Sequence, residues 1–449
     1  MLSGTSRRTV LKTAVLASAA VITAPYVRGA YAAGSLALGV WDHWVPGANN
    51  ALIKVCNEWG AKNKVDVHID FITSQGEKDK LTAAAEAQAG TGHDIMSHRD
   101  WNIRIHQAVL EPLDDVIAQL IKQYGPISPV AEYLAKIKGT WRGVPTASGS
   151  QVKPCCSRID LFKEHADIDL LEMYPPDESK WDKSKADAWN WDTYVTAAQK
   201  LYKAGFPVGQ TMGQTSDAID WVGALFNSYG AVFVDAKDNI KINSDETRQA
   251  MEIARKIMEV SPPEVFAWDD AGNNRWLISG KGSSIMNPPS AWAVANRDNP
   301  KVGEQCWTHP VPKGPKGRFV GQLPQFYGLW QFSKNKSAAK DLLLHISQKE
   351  SVAQFVEASV GYDLPSFKTM YDLPTWKTVG PPVGTVYSYP PRGDEQTSIA
   401  GAPARSEVGA QIYNQAINTV MISKFTQGKE KLDDVIKWAE KELEGTLRA

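Results

Sequence analysis

Four consecutive residues near the start of the chain combine flat aromatic faces with hydrogen-bonding edges. Trp41, Asp42, His43 and Trp44 lie together in the stretch VWDHWVPG. A tryptophan ring offers an apolar face on which a flat ligand such as a sugar ring can stack, and Asp and His can hydrogen-bond the polar edge of that ligand. Trp41 continues an apolar run, which favours a core position for it. We therefore expect Asp42, His43 and Trp44 to form a recognition loop, not a catalytic one.

Polar residues follow two further predicted strands. Apolar residues alternate in VDVHIDFI (65–72), which predicts a strand, and Ser74 and Gln75 come directly after it. HDIMS (93–97) predicts a third short strand, followed by HRDW. The candidates in that segment are Arg99, Asp100 and Trp101.

The elements between these segments predict how the candidates are positioned. SLALGVW (35–41) is a strand candidate, a helix is expected after it from the spacing of its apolar residues, and an alanine-rich helix over 78–89 ends at Gly90. Strands that alternate with helices predict an α/β fold with a parallel, doubly wound sheet. Ligands bind beyond the carboxyl ends of such strands, so the three polar loops are expected to meet at one rim.

The rest of the chain carries further helix signals. Helices are predicted over 192–205 and 244–260, the second with Ser244 as N-cap. The Pro-, Asp- and Lys-rich segment 173–191 is expected to be a surface excursion. An apolar stripe in the last 20 residues predicts a helix with one face in the core.

Motifs of common enzyme and metal sites are missing from the sequence. There is no GxSxG, no HExxH, no Walker P-loop and no GxGxxG in a βαβ context. The eight histidines are scattered, and the four cysteines show neither CxxC spacing nor a Cys/His cluster. The pair Asp269-Asp270 could serve a glycosidase, but adjacent acids are more typical of a surface.

Composition narrows the class of protein. The chain of 449 residues is long enough for two or three domains, and its formal net charge of −1 gives no support for a nucleic-acid partner. Its 16 tryptophans outnumber both the 14 tyrosines and the 12 phenylalanines. This excess favours flat apolar faces with polar edges, as stacking on sugar rings requires.

The N-terminus has the three parts of an export signal. SRRTVLK precedes an uncharged apolar run, and AYA (30–32) supplies a cleavage site. The run is too short to span a bilayer, which indicates a signal peptide over 1–32, and the paired Arg7 and Arg8 resemble the twin-arginine signal. Its removal takes away four basic residues and no acidic one, which leaves a net charge of −5. We expect a periplasmic protein whose four cysteines are free and buried, because twin-arginine substrates fold in the reducing cytoplasm.

Six segments resemble, in order and spacing, one known family. They are TWRGVP (140–145), WNWDTYVTAAQKL (189–201), WLISGKGSSIMNPPSAW (276–292), PVPKGPKGRFVGQ (310–322), SKNKSAAKDLLLHIS (333–347) and GYDLPSF (361–367). The family is that of the extracellular solute-binding proteins of ABC importers, family 1, the sugar-binding group related to maltose-binding protein. The resemblance covers nearly the whole chain after the signal peptide.

The resemblance implies the two-lobe, type II periplasmic binding-protein fold, with hinge strands between α/β lobes and the ligand in the cleft. The lobes it implies are 34–147 with 309–360, and 148–308 with 361–449. It also implies that 173–191 is an insertion.

Ligand-binding positions are also implied by the resemblance. The loops after the first three strands contribute contacts in the family. The NPPSAW stretch has Ser290 where the family commonly has an aromatic residue, and Trp292 two residues later. Further implied positions are Trp221, Asn287, Gln322, Asp363 and Arg392. Arg99 or Arg392 in the cleft would favour an acidic sugar.

The function implied is that of a periplasmic receptor that captures a carbohydrate and delivers it to membrane permeases. It would be a monomer without catalytic residues, metal or cofactor. Two alternatives remain open at the level of sequence. The same fold could bind a polyol, a polyamine or an amino-acid derivative, or the chain could be an exported carbohydrate-active enzyme that uses Asp42 or Asp100.

Overall fold

The computed structural model describes residues 34–175, 177–379 and 389–448. The predicted signal peptide and the residues 380–388 lie outside these ranges. In the described part of the chain, no helix is long and apolar enough to cross a membrane.

Strands fall mainly into two groups along the chain. They are β1 (Gly34–Trp41), β2 (Val65–Ile72), β3 (Ile95–Arg99), β4 (Lys136–Ile137), β5 (Thr140–Trp141), β6 (Val144–Val152), β7 (Cys155–Arg158), β8 (Ser284–Met286), β9 (Cys306–His309), β10 (Arg318–Leu329) and β11 (Glu395–Ser398). β1 to β3 lie within two residues of the strands predicted from the sequence, and β2 coincides with the alternating stretch 65–72.

The main sheet carries the three loops of interest. Its strand order is β11-β10-β3-β1-β2, and β6 pairs with β10. β1 is parallel to both β2 and β3, as predicted, whereas β10 is antiparallel to β3. β1 lies inside the sheet and is buried along most of its length, while β2 forms an edge and keeps an alternating pattern of exposure. The carboxyl ends of β1, β2 and β3 therefore meet at one edge.

Helices connect the strands along the described part of the chain. They are α1 (Pro46–Asn63), α2 (Lys78–Ala89), α3 (Asn102–Ile105), α4 (Asp114–Tyr124), α5 (Pro129–Ala135), α6 (Ile159–Ala166), α7 (Leu170–Met173), α8 (Lys183–Ala188), α9 (Trp191–Lys203), α10 (Ser216–Tyr229), α11 (Asp245–Met258), α12 (Gly272–Ile278), α13 (Ser290–Asp298), α14 (Pro300–Gly303), α15 (Lys336–Ile346), α16 (Lys349–Ala358), α17 (Thr375–Thr378), α18 (Ser406–Asn414), α19 (Ile417–Thr426) and α20 (Leu432–Arg448). Single 3-10 turns lie at Gln75–Glu77, Glu178–Lys180, Pro263–Ala267 and Lys368–Met370.

Local sequence signals explain several helix ends. The Ser244 hydroxyl accepts a hydrogen bond from the Thr247 amide (3.2 Å), which is the predicted N-cap of α11. α2 ends at Gly90, whose φ of 64° is the left-handed conformation that a glycine C-cap adopts without strain.

The second group of strands forms a separate antiparallel sheet in the order β8-β7-β9. Cys155, Cys156 and Cys306 lie in this sheet, and all four cysteines of the chain are buried free thiols. The predicted surface excursion is exposed at 177–180 and 182–185, but Tyr174 near its start and Trp189 and Trp191 at its end are buried in the core. That end was therefore predicted wrongly. The Arg318 guanidinium fixes it by donating to the Trp189 carbonyl oxygen (3.1 Å).

Candidate functional site

A pocket opens at the sheet edge where β1, β2 and β3 end. The empty space inside it, including its mouth, is about 400 Å³. One wall comes from the ends of these strands and the loops after them, and the opposite wall comes from the chain between α10 and α13. Residues of β6, of β10 and of the segment after α16 lie between the two walls. The residues that line it are Trp41, Trp44, Ser74, Arg99, Gln151, Ser216, Asp217, Asp270, Asn274, Asn287, Pro288, Ser290, Leu323, Gln325 and Tyr362.

Aromatic rings form the apolar part of the pocket. Trp41 stacks on Tyr362, with ring centroids 6.3 Å apart and planes 23° from parallel, and its other neighbour Trp44 meets it edge-on. The Trp41 indole N–H donates to the Ser74 hydroxyl (3.2 Å), so the loops after β1 and β2 are joined. Gly149 permits this packing, because a Cβ there would lie 2.7 Å from the Trp41 ring. The result is a rigid aromatic surface at the base of the pocket with the partly exposed Trp44 at its side.

Arg99 is the positively charged residue of the strand-loop wall. Its Nε donates to Asp79 (2.7 Å), and one of its terminal nitrogens donates to Glu77 (2.7 Å). Arg99 and Asp79 are both buried, which strengthens their attraction. The guanidinium is thus held in place by two carboxylates.

On the opposite wall, Asp217 belongs to a buried ionic network. The Lys153 ammonium donates to Asp217 and lies 3.3 Å from Asp220, and the side chains of Lys153 and Asp220 are fully buried. The other oxygen of Asp217 accepts from the Asn273 side chain (2.9 Å). Burial raises the pKa of Asp220 to about 7, although Lys153 opposes the rise. These contacts fix Asp217 at the pocket surface.

Asp270 lies on the same wall, but in the described part of the chain neither a lysine nor an asparagine side chain holds its carboxylate. Its buried Oδ1 has no hydrogen-bond partner among the described residues. Burial, followed by the nearby charge of Asp217, raises the pKa of Asp270 to about 6, while Arg99 and Lys153 partly oppose the rise. The carboxylate is therefore available to a donor that enters the pocket.

The raised pKa of Asp270 makes the stability of the folded protein depend on pH. Because the pKa of Asp270 is higher in the folded protein than its ordinary value of 3.8, the folded state binds the proton more tightly. Stability is lost as pH rises from about 4 to about 6, and the loss is complete above that range. We expect Asp270→Asn to raise the free energy of unfolding of the ligand-free protein by about 1–2 kcal/mol at pH 7.5 and to change it little at pH 4. Urea denaturation at the two pH values measures this, and equal effects at both would contradict it.

Comparison with known families identifies the chain. Residues 52–380 match the sequence profile described as bacterial extracellular solute-binding protein, which is more than two thirds of the chain. The chain belongs to the bacterial extracellular solute-binding proteins. This confirms the family that the six segments indicated. Members of the family serve transporters outside the cytoplasm and are not enzymes.

Solved structures with the same fold confirm the predicted two-lobe architecture. Maltose-bound MalE3 of T. maritima is 18% identical, with a TM-score of 0.70, 92% of this chain covered and 99% of the other. The GacH receptor of Streptomyces glaucescens, solved unliganded and with acarbose, is 16% identical, with a TM-score of 0.69 and coverage of 93% and 99%. The substrate-binding protein Lmo0181 of Listeria monocytogenes, solved with cycloalternan, gives the same four values as GacH. No curated protein sequence matches this solute-binding protein significantly.

The structure brings a subset of the sequence-derived candidates together in the pocket of this solute-binding protein. They are Trp41, Trp44, Ser74, Arg99, Asn287 and Ser290. Trp41, expected to be mainly a core residue, is buried and also lines the pocket. Trp41, Trp44, Ser74 and Arg99 lie close together because parallel strands end on one side of the sheet, whereas Asn287 and Ser290 come from the opposite wall.

Two candidates form a buried pair behind the pocket. Val45 donates its amide to His43 Nδ1 (2.8 Å), so the proton of the neutral ring is on Nε2, which donates to Asp363 (2.9 Å). The same carboxylate oxygen accepts from the Gly149 amide (2.8 Å). His43 and Asp363 thus tie the loop after β1 to the segments at 149 and 363, and they do not face the pocket.

The remaining candidates lie outside the pocket lining. Asp42 and Gln75 are exposed, and Arg392 lies 3.7 Å from Glu178 and does not line the pocket. The others are buried in the protein interior, and they are Asp100, Trp101, Trp221, Trp292 and Gln322. Their side chains are used in packing or internal hydrogen bonds, as in the donation from Trp221 to the Thr211 carbonyl oxygen (2.7 Å).

Sequence reasoning missed more than half of the residues that line the pocket. The residues it did not single out are Gln151, Ser216, Asp217, Asn274, Pro288, Leu323, Gln325 and Tyr362, and it assigned Asp270 to the surface. Two signals were available: Gln151 lies three residues after the start of the second predicted lobe at 148, and Tyr362 precedes the candidate Asp363. No local pattern distinguishes the other positions, since they meet the strand loops only in the folded chain. No cluster of metal-ligating side chains occurs among the described residues.

Proposed function

We propose that this protein captures a carbohydrate in the pocket and delivers it to the membrane permeases of an ABC transporter. The observation that carries the proposal is the combination of aromatic faces with converging amide, hydroxyl and charged groups in one pocket. Sugar C–H faces stack on such rings, and sugar hydroxyls need donors and acceptors at fixed positions.

Each part of the pocket has a role in this proposal. Trp44, which is partly exposed, supplies the stacking face, and the buried rings of Trp41 and Tyr362 support it. Side-chain amides can both donate to and accept from hydroxyl groups, and they come from Gln151, Asn274, Asn287 and Gln325. The ligands of structural relatives agree with this assignment, since MalE3 was solved with maltose, GacH with acarbose and Lmo0181 with cycloalternan.

The lobes in this proposal are 34–147 with 309–360, and 148–308 with 361–449. β6 and β10 support the division because they are long antiparallel neighbours that run from one region to the other. The carboxyl-terminal part of β10 pairs with β3, and its first four residues pair with β11. Closure would then bend these strands and bring Asp217 and Asp270 toward Trp41 and Arg99.

The proposal also includes how the protein reaches the periplasm and which proteins it meets there. The SRRTVLK segment supports transport by the twin-arginine pathway to the periplasm. The protein would act there as a monomer, without a cofactor, and would meet the permease subunits at the inner membrane.

Replacing Trp44 with alanine is expected to weaken carbohydrate binding by about 10- to 100-fold, because a stacking face is lost. The melting temperature should change by less than about 3 °C, since Trp44 is partly exposed and outside the core. Isothermal titration and differential scanning calorimetry measure the two effects. Trp44→Phe should retain most of the affinity, and Tyr202→Ala, at an exposed position on another surface, should retain all of it. Unchanged affinity with a large drop in melting temperature would make Trp44 a packing residue.

The ligand itself can be sought in two steps. Native mass spectrometry of freshly purified protein should reveal a bound sugar mass with a stoichiometry of one. A panel of mono- and oligosaccharides should then change the tryptophan fluorescence and make the protein more compact in small-angle scattering. Turnover of a glycan by the purified protein would contradict a pure transport role.

A further inference from the structure

The charges around the pocket are unequal. The acids that line it or pair directly with its ionic groups are Glu77, Asp79, Asp217 and Asp270, and the bases are Arg99 and Lys153. Every one of these residues is described, so the pocket and its ionic surroundings hold twice as many acids as bases. A ligand that brings a positive charge would reduce this excess.

The base on the strand-loop wall is not available to an anion. Arg99 is held by Asp79 and Glu77, so its charge is already balanced by two carboxylates. Arg392, the other arginine that could have favoured an acidic sugar, does not line the pocket. An acidic ligand would therefore enter a pocket whose only lining arginine, among the described residues, is compensated.

The opposite wall leaves one carboxylate without a partner. Lys153 forms ion pairs with both Asp217 and Asp220. The Asn273 side chain donates a hydrogen bond to the second oxygen of Asp217. Asp270 has no ion-pair partner within 4.0 Å among the described residues, and its Oδ1 is buried and unbonded. An ammonium group at this position would satisfy a buried acceptor and balance its charge.

We infer that the ligand is a carbohydrate that carries a protonated amino group, and that Asp270 is the residue that selects this group. The inference rests on the proposed carbohydrate function and specifies the ligand class of the same pocket. The amine would donate to Asp270, while the sugar ring stacks on Trp44 and its hydroxyls bond the side-chain amides. The tryptophan face adds attraction for the cation. Acetylation or replacement of the amine by a hydroxyl would remove the charge and leave Asp270 with a weaker donor.

Matched pairs of sugars test this inference. Calorimetric titrations of the wild-type protein at pH 7.0 compare two sets of sugars. The first set is glucose and glucosamine. The second set is cellobiose, the β-1,4-linked glucosamine disaccharide and the N-acetylated form of that disaccharide. We expect an amino sugar to bind at least about 10-fold more tightly than its neutral counterparts. In Asp270→Asn the ratio of the two affinities should fall to about 1–3, because the amide cannot balance the charge.

A neighbouring acid provides the control. Asp269 is adjacent in sequence but exposed, and it pairs with Arg275 outside the pocket. Asp269→Asn should keep the wild-type preference for the amino sugar, which would exclude a general effect of net charge. Equal loss of preference in both variants would overturn the role of Asp270.

Failure of this inference can be distinguished from failure of the proposed function. Tight binding of neutral or N-acetylated sugars, with the amino sugars equal or weaker, would overturn the inference and leave carbohydrate capture standing. Binding of spermidine but of no sugar, amino or neutral, would overturn the carbohydrate function and the inference together.

Discussion

Replacing Lys153 with methionine is expected to lower the free energy of unfolding by about 3–5 kcal/mol at pH 8. The lysine side chain is fully buried between Asp217 and Asp220, so its removal leaves two carboxylates in a low-dielectric environment without a counter-charge. Burial already raises the pKa of Asp220 to about 7, and Lys153 limits that rise. Without the lysine, Asp220 would take up a proton more readily, and the cost should therefore be smaller at pH 5 than at pH 8. Urea denaturation followed by circular dichroism measures both values.

Two further variants make this prediction specific. Lys183→Met removes an exposed lysine that pairs with Asp187 and should cost less than about 0.5 kcal/mol. Asp220→Asn in the Lys153→Met background should recover part of the stability, because it removes one of the two stranded charges. A Lys153→Met protein as stable as the wild type at pH 8 would show that the buried network does not depend on the lysine.

Truncation of Trp101 to alanine is expected to cost about 3–5 kcal/mol of unfolding free energy. The side chain is fully buried, its indole N–H donates to the Ala400 carbonyl oxygen (3.1 Å), and its ring lies against Gly409. A Cβ at position 409 would come within 2.3 Å of that ring. Trp101 thus joins the loop after β3 to the start of α18, and its loss leaves a cavity and an unpaired carbonyl group.

The same contact can be tested by a double-mutant cycle. Gly409→Ala alone should cost about 1–3 kcal/mol, because the added methyl group has no room beside the indole. In the Trp101→Ala background the methyl group has room, and the two effects should sum to clearly more than the effect of the double variant. Additive effects would contradict direct packing of the two residues. Trp101→Ala should also leave the amino-sugar preference intact, since Trp101 does not line the pocket.

The strand-loop wall of the pocket could be predicted because its determinants are local. Alternating apolar residues located β2, and the parallel order of β1, β2 and β3 placed the ends of these strands together. Trp44, Ser74 and Arg99 were found by position alone, as residues at or just after the ends of predicted strands. Their neighbours Asp42 and Gln75 were not separable from them by sequence, because orientation within a loop depends on contacts made by other segments.

The opposite wall depends on contacts between distant segments. Asp269 and Asp270 are identical in type and adjacent, yet one is exposed and pairs with Arg275 while the other lines the pocket. Their difference arises only when the segment at 270 packs against α10 and its aspartate Asp217. The order of residues along the chain does not show which of the two aspartates this packing will bury.

Contacts between distant segments also explain why some candidate residues are buried in the interior and do not line the pocket. Trp101 has the residue type of a stacking surface, but Gly409 leaves a space that its ring fills. His43 has the type of a ligand contact, but Asp363, 320 positions later, binds its ring. An aromatic or polar residue has the same chemistry on either side of a loop, and the partner that it meets decides which role it takes.

The amino-acid sequence by itself determined the family, the α/β class, the strands of the rim and the aromatic loop VWDHWVPG, because these depend on periodicity and on short segments in order. Only the tertiary structure decided which side chains of that loop enter the pocket, and that Asp217 and Asp270 face them. It also showed that Arg99 is already neutralised by Glu77 and Asp79. Burial and electrostatic balance are properties of groups brought together from distant parts of the chain, and they exist only once those parts are packed.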